Sequence, residues 1–287
     1  MTETRSPDGV LLVDKPAGLS SHAVVDRARR ALGTRRIGHG GTLDPFATGL
    51  LVLLLGRATR LLPYLAHDPK VYRATIRFGR ATTTDDATGE PVNEAPVPAA
   101  GAVEEAVAAM TGYLLQRPPA FSAKQVGGVR AYKAARRGKP MTLEPVAVHV
   151  HGWRLLGWAG ADLDVEVSCG PGTYVRALAR DLGEASASAA HLVALRRLRS
   201  GPFDVTQAQT LGAIEDGAAR LLSPASAVSH LPDQPLDDLE AKRIVHGQMV
   251  RATVDGPRAA LSHAGELLAV AEREDGQWRP RVVLRDA

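Results

Sequence analysis

Asp44 lies in the run Gly40-Gly41-Thr42-Leu43-Asp44-Pro45-Phe46-Ala47-Thr48-Gly49, a polar loop flanked by glycines and followed by the apolar segment 50–55. A lone Asp-Pro pair is first of all a turn former, its carboxylate closing an Asx-turn. The flanking glycines permit close backbone approach by a ligand, and a loop leaving core strands holds an acid rigidly at a surface cleft. A carboxylate so placed can act as base or nucleophile. Arg176 is a possible partner. It lies in the segment 173–184, where Val175, Leu178, Ala179 and Leu182 form an apolar stripe. There Arg180 can pair with Glu184 at i,i+4, whereas Arg176 has Arg180 as its own i+4 neighbour and must extend into water or find an acid elsewhere. Tyr174, at the first turn, and Tyr72 each read first as core aromatics.

The elements that must position these groups follow from periodicity. Residues 9–13 form a short apolar run entering the turn Asp14-Lys15-Pro16-Ala17-Gly18, which reads as a buried strand. Ser20 or Ser21 then caps a helix with the stripe Val24, Val25, Ala28 and Leu32, ended by Gly33. Residues 50–55 suit a central strand. The stretch 70–79 alternates, with Tyr72, Ala74, Ile76 and Phe78 on one face and Val71, Arg73, Thr75 and Arg77 on the other, as in a half-buried strand. Residues 82–100 read as a loop and 103–110 as a helix. An irregular basic segment runs from Pro118 to Lys139, with a short helix around 130–137. Residues 149–158 and 162–169 look like paired strands, and Gly170-Pro171-Gly172 turns into a helix at 173–184. A composition shift after Ser223, through Pro232 and Pro235, marks a linker to a small strand-rich unit containing 267–271 and 281–284.

Composition bounds the function classes. The chain has 287 residues, 45% hydrophobic and 23% charged, enough for a core and unlike a disordered chain. Its longest uncharged runs fall well short of the roughly 20 residues of a membrane span. Residues 1–8 have no apolar signal-peptide core, and the single Cys169 cannot form an internal disulfide, so a cytoplasmic location is expected. The nine scattered histidines include no HExxH, and His149 and His151 alternate along an expected strand, reading as surface residues rather than metal ligands. With no GxGxxG after a strand and no Walker A motif, neither metal nor cofactor is expected.

The net charge of +4 hides a segregated distribution. Of the 35 basic residues only six are Lys and 29 are Arg, which fits a GC-rich genome. Yet Arg117, Lys124, Arg130, Lys133, Arg136, Arg137 and Lys139 fall between Ala106 and Leu143 with no acid among them, while acids gather at Asp85, Asp86, Glu90 and Glu94 and at 233–240. Such a basic face attracts a polyanion, with affinity falling as salt rises.

Six segments, in order over about residues 9–202, together resemble the bacterial tRNA pseudouridine synthase B (TruB) family: GVLLVDKPAGLSSHAVV, RRIGHGGTLDPFATGLLVLLLGRATR, KVYRATIRFG, PPAFSAKQVGGVRAYKAARRG, SCGPGTYVRALARDLG and AHLVALRRLRSG. Each alone is a weak pattern; their order makes the match specific. The resemblance implies an isomerase that converts uridine 55 in the T-loop of tRNA to pseudouridine. Asp44 matches the catalytic aspartate, Tyr72 the active-site tyrosine and Arg176 the arginine that pairs with the aspartate. Tyr174 and Leu195 match uracil-pocket residues, His39 a histidine that packs into the T-loop, and Lys15 and Pro16 a motif supporting the active-site floor. The basic segment at about 117–145, with Lys124, Arg130, Lys133, Arg136 and Arg137, is similar to the RNA-clamping insertion. Gly40 stands where the family often has Thr, and Phe78 where Leu is common.

The fold implied is α+β, a mixed, mainly antiparallel sheet in a catalytic domain over 1–230, with a small β-rich PUA-like RNA-binding domain over 231–287. The implied partner is the tRNA T-arm, for a monomer with no membrane and no obligate protein partner. Two other readings remain: a non-catalytic tRNA-binding or folding protein, and a carboxylate-dependent hydrolase or glycosidase. The latter needs a second positioned acid, and the matched motifs offer no strong candidate.

Overall fold

The computed structural model describes residues 7–122, 124–126, 129–130, 134, 141 and 143–285. The chain forms two compact units: Met1–Pro45 with Leu50–Ala66 and Pro202–Ala287, and Phe46–Gly49 with His67–Gly201. The boundary expected at 230/231 falls inside the first unit.

In the first unit the strand Gly9–Lys15 neighbours Thr48–Leu55 and pairs in parallel with Gln209–Thr210. Ile37–His39 pairs antiparallel with Leu53–Leu55. Because side chains alternate along a strand, the apolar run after Gly49 faces two cores. Leu51, Leu53 and Leu55 pack with Leu11, Val13 and the helix Ser21–Ala31 through Val24, Val25 and Ala28. Leu50, Val52 and Leu54 pack with Val10 and Leu12 and with Val270, Val282 and Leu284 of the C-terminal sheet. This is why the run carries no polar face: both sides of the strand are covered. Ser20 caps the helix by accepting from Ala23 N at 3.1 Å.

The C-terminal residues build a five-stranded sheet in the order Asp233–Pro235, Arg258–His263, Glu266–Glu274, Gln277–Val283 and Val250–Arg251. Buried Gln234 organises it. Its amide donates to Arg251 O at 2.9 Å and accepts from Thr253 N at 2.8 Å and from the indole of fully buried Trp278 at 2.6 Å. Arg57 and Arg60 donate to the carbonyls of Leu284 and Val283, at 2.6 and 2.7 Å.

The second unit is built on an antiparallel sheet ordered Ala190–Ser200, Lys70–Phe78, Asp162–Cys169, Val146–Ala159 and Gly112–Gln116. A parallel pairing of Arg196 and Arg197 with Thr48 and Gly49 makes it mixed. Only glycine fits position 49: its φ is +97°, and a Cβ would lie 2.3 Å from Arg197 O. The alternation read in the Lys70–Phe78 strand holds, with Tyr72, Ala74, Ile76 and Phe78 buried. The opposite face is a charge lattice, where Arg77 grips Asp162 with two bonds of 2.6 and 2.7 Å, and Arg154 meets Glu166 at 2.8 Å. Residues 82–100, expected as a loop, include the short strand Pro91–Glu94 paired with Arg80–Thr82. Thr and Pro concealed its pattern, and none of its four side chains is buried. The helix expected at 130–137 lies largely outside the described residues.

Candidate active site

In the first unit, Asp44 is half-buried in the irregular stretch between Ile37–His39 and Thr48–Leu55. Its chain neighbours are fixed on both sides. The buried Ser21 hydroxyl accepts from Leu43 N at 2.8 Å and donates to Leu43 O at 3.0 Å. Pro45 O accepts from Gly18 N at 2.8 Å and from the Lys15 ammonium at 3.2 Å. Lys15 is fully buried and also donates to the carbonyls of Leu19 at 2.7 Å and Pro16 at 2.9 Å. A lysine enclosed by carbonyls braces the turn Asp14-Lys15-Pro16-Ala17-Gly18 against the Asp44 loop. His39, half-buried, ends its strand opposite Leu53, and the next residue, Gly40, donates to Val52 O at 2.8 Å.

In the second unit, strand register places Tyr72 between Val167 and Arg197, and Leu195 opposite Ala74. Directly opposed residues share a face, so Tyr72, Leu195 and Arg197 line one side of the sheet. Tyr174 stands at the start of the helix Val175–Ala185 with no side-chain cap of its own. Gln116, 1% exposed, supplies the missing partner: its side chain accepts from Tyr174 N at 2.8 Å and donates to Tyr174 O at 3.1 Å.

Arg176 is 4% exposed. Its guanidinium donates to Thr84 O at 2.8 Å and Phe121 O at 2.9 Å and lies 3.6 Å from the Asp86 carboxylate. Asp86, equally buried, accepts from the Thr84 hydroxyl at 2.7 Å and from Thr88 N and its hydroxyl at 2.9 and 2.5 Å. The acid that Arg176 needs within its own unit is therefore Asp86. Arg180 does not reach Glu184. It meets Asp181 at 2.7 Å and Asp85 at 3.0 Å, and donates to Arg117 O at 2.9 Å. Helical side chains lean toward the N-terminus, which aims Arg180 back at the 83–89 loop and away from the turn ahead. Burial raises the Asp85 carboxyl above its ordinary range, against the opposing pull of Arg180 and Arg176.

Asp86 and Gln116 escaped the sequence reading. Gln116 did leave a signal, since it shares a strand face with Leu114 and is the polar exception on an inward face. Asp86 left only a Thr-rich, acidic stretch that resembled solvated loop. Cys169 is buried, and desolvation pushes its thiol up to about 11, which argues against a nucleophilic role. Among the described residues no group of three or more His, Cys, Asp or Glu could hold a metal ion, and no helix is long and apolar enough to cross a membrane. Of the basic insertion, Lys124 is half-buried and the backbone of Arg130 lies in a two-residue strand, Val129–Arg130. Lys133, Arg136 and Arg137 lie outside the described residues.

Three family models match in tandem: TruB family pseudouridylate synthase (N terminal domain) over 29–175, tRNA pseudouridylate synthase B C-terminal domain over 176–230, and tRNA pseudouridine synthase II, C terminal, over 232–285. The chain is 45% identical to the tRNA pseudouridine synthase B of Thermobifida fusca, covering 96% of this chain and 98% of that protein. It is 41% identical to that of Mycobacteroides abscessus, over 100% and 99%. Among solved structures it resembles a chain of a Cbf5-Nop10-Gar1 complex with TM-score 0.75 and 25% identity, covering 99% of this chain and 87% of that one. The mixed-sheet α+β fold with a curled C-terminal β domain and near-full-length identity to curated relatives lead to one assignment: the chain belongs to the TruB family of tRNA pseudouridine synthases, which are intramolecular isomerases.

Proposed function

We propose that the chain isomerises uridine 55 in the tRNA T-loop, with Asp44 as the group that starts the reaction. The observation that carries this reading is the bracing of Asp44 from both sides, through Ser21 on Leu43 and through Lys15 and Gly18 on Pro45. A carboxylate on so fixed a loop needs little reorganisation when it meets its target.

The uridine must leave the T-loop stack to be reached, at a cost of a few kcal/mol that stacking on Tyr72 would offset in part. Arg176, itself oriented by Asp86, would assist Asp44 as the arginine that the resemblance pairs with the family's aspartate. Asp44 then attacks the ribose C1′ or the base C6, or acts as the base that begins cleavage. The C1′–N1 bond breaks, the uracil turns in a pocket formed by Tyr174 and Leu195, and C1′ rejoins through C5, with any bond to Asp44 broken so that its carboxylate is released. The C5 proton leaves to Tyr72 or a water, and N1 gains one, so the product has the substrate's composition. His39 would pack into the T-loop, and the basic insertion, with Lys124, Arg130, Lys133, Arg136 and Arg137, would grip the RNA backbone. In this reading the C-terminal sheet is the PUA-like RNA-binding part, and the enzyme works in the cytoplasm as a monomer.

The test is Asp44→Asn with a T-arm stem-loop carrying 5-tritiated uridine. The variant is expected to bind the RNA and release no tritium. Normal turnover by that variant would remove Asp44 from the mechanism.

A further inference from the structure

Lys70 opens the strand that carries Tyr72, two residues before it, so both side chains lie on the same face of the sheet. In register Lys70 stands opposite Ser200 on one side and Cys169 on the other, and Arg197, opposite Tyr72, lies on the same face. The Lys70 side chain is only partly exposed. No carboxylate among the described residues comes within ion-pair distance of its ammonium. The basic insertion cannot supply one, since 107–142 contains no acid.

The surrounding charges make this costly. Burial lowers the Lys70 pKa first, and the Arg197 cation lowers it further, outweighing the opposing effects of Cys169 and of Asp68, whose carboxylate is bonded to His151 at 2.6 Å. His67 reports the same field. Its pKa is lowered by burial and then by Lys70 and Arg197, and its Nδ1 is buried without a hydrogen-bond partner. A half-buried cation with a cationic neighbour and no counter-ion is unfavourable in the free protein. Such a local conflict is expected where a ligand supplies the missing charge.

We propose that Lys70 is a phosphate-binding residue that takes a backbone phosphate of the tRNA next to the nucleotide stacked on Tyr72. The proposal rests on the reading of Tyr72 as the stacking platform. Lys suits the task, because one ammonium satisfies one phosphate as a point charge without the planar fit an arginine demands.

The experiment measures binding of a T-arm stem-loop to wild type, Lys70→Met and Lys70→Gln over a salt series, with product formed by wild type from the same RNA. Both variants are expected to bind several-fold more weakly. The slope of log affinity against log salt should fall by about 0.7–0.9, the value of one phosphate contact. Lys70→Arg should keep most of the affinity. A stem-loop with a single neutral methylphosphonate beside the target uridine should weaken wild type by the same factor and Lys70→Met no further. An unchanged salt slope, or losses from variant and methylphosphonate that multiply at every position, overturns the phosphate contact. Should Lys70→Met fail to fold, the methylphosphonate series with wild type and Lys70→Arg decides: no position that weakens binding also overturns it. Absence of product with wild type would instead overturn the isomerase reading, so the two failures are distinguishable.

Discussion

Gln116 and Tyr174 hold one another by two hydrogen bonds, 2.8 and 3.1 Å, which join the last residue of a strand to the N-cap residue of a helix 58 positions away. Gln116 is also the last residue before the basic insertion and pairs in register with Val146, beyond its far end. The helix that carries Tyr174 and Arg176 is thereby moored at the root of that insertion. Gln116→Leu leaves the Tyr174 N–H unpaired, at about 1–3 kcal/mol, while the Tyr174 carbonyl keeps Leu178 N at 3.0 Å. Its unfolding midpoint should fall, and kcat on a T-arm stem-loop should drop by about tenfold with KM little changed. Gln116→Glu keeps an acceptor for Tyr174 N but sets a buried carboxyl oxygen against Tyr174 O, so it should not restore wild-type stability. Wild-type kcat in the leucine variant would show that Tyr174 is held without this mooring.

Asp86 and Arg176 form a buried ion pair whose members have side chains only 6% and 4% exposed. Removing one member of such a pair strands the other charge and costs about 3–5 kcal/mol. Asp86→Ala is therefore expected to lose that much in urea unfolding. Asp86→Asn, which still accepts from Thr84 and Thr88, should lose less. Both variants should turn over slowly while binding RNA; unimpaired turnover in Asp86→Asn would separate Arg176 orientation from the Asp86 charge.

Ser21 meets both backbone groups of Leu43 through one hydroxyl. Ser21→Ala removes both bonds with almost no change of volume, so it tests the Asp44 loop rather than the core. The expected loss is about 1–3 kcal/mol in stability and a lower kcat with RNA affinity retained. Equal kcat in the two proteins would show that the loop is rigid without Ser21.

His67 should imprint a pH dependence on stability. Its folded pKa lies below the ordinary value near 6.5, chiefly through burial, so the unfolded chain takes up a proton more readily. The stabilisation is present above about pH 6.5 and is lost as pH falls through that lower folded value. Between about pH 7 and about pH 5, wild type should lose more unfolding free energy than His67→Gln. Parallel curves would assign the acid loss to other groups.

The strands were legible because they obey simple periods. Alternation located Lys70–Phe78, and a purely apolar run located the doubly covered strand after Gly49. The Asp44 loop was legible as a loop between core segments because glycine, aspartate and proline occur together there. The partners of Arg176 and Arg180 were not. Asp85 and Asp86 lie about 90 residues earlier, in a stretch whose composition suits solvent, and only tertiary folding brings that loop against the helix. Local pairing rules favoured Glu184 for Arg180, yet the side chain leans backward along its helix to a long-range acid, Asp85, and also pairs with the adjacent Asp181. Gln116 was invisible for a related reason: a polar residue on an inward face can be judged only when its partner's backbone is known.

The packing of the C-terminal sheet on Leu50, Val52 and Leu54 has a genetic consequence. These residues continue the strand that leaves the Asp44 loop, so a stop codon in the last part of the reading frame would wet the underside of that loop's own support. Arg57 and Arg60 would lose their carbonyl partners at 284 and 283 in the same event. Late nonsense alleles should thus behave as nulls rather than as enzymes with a weakened grip on RNA.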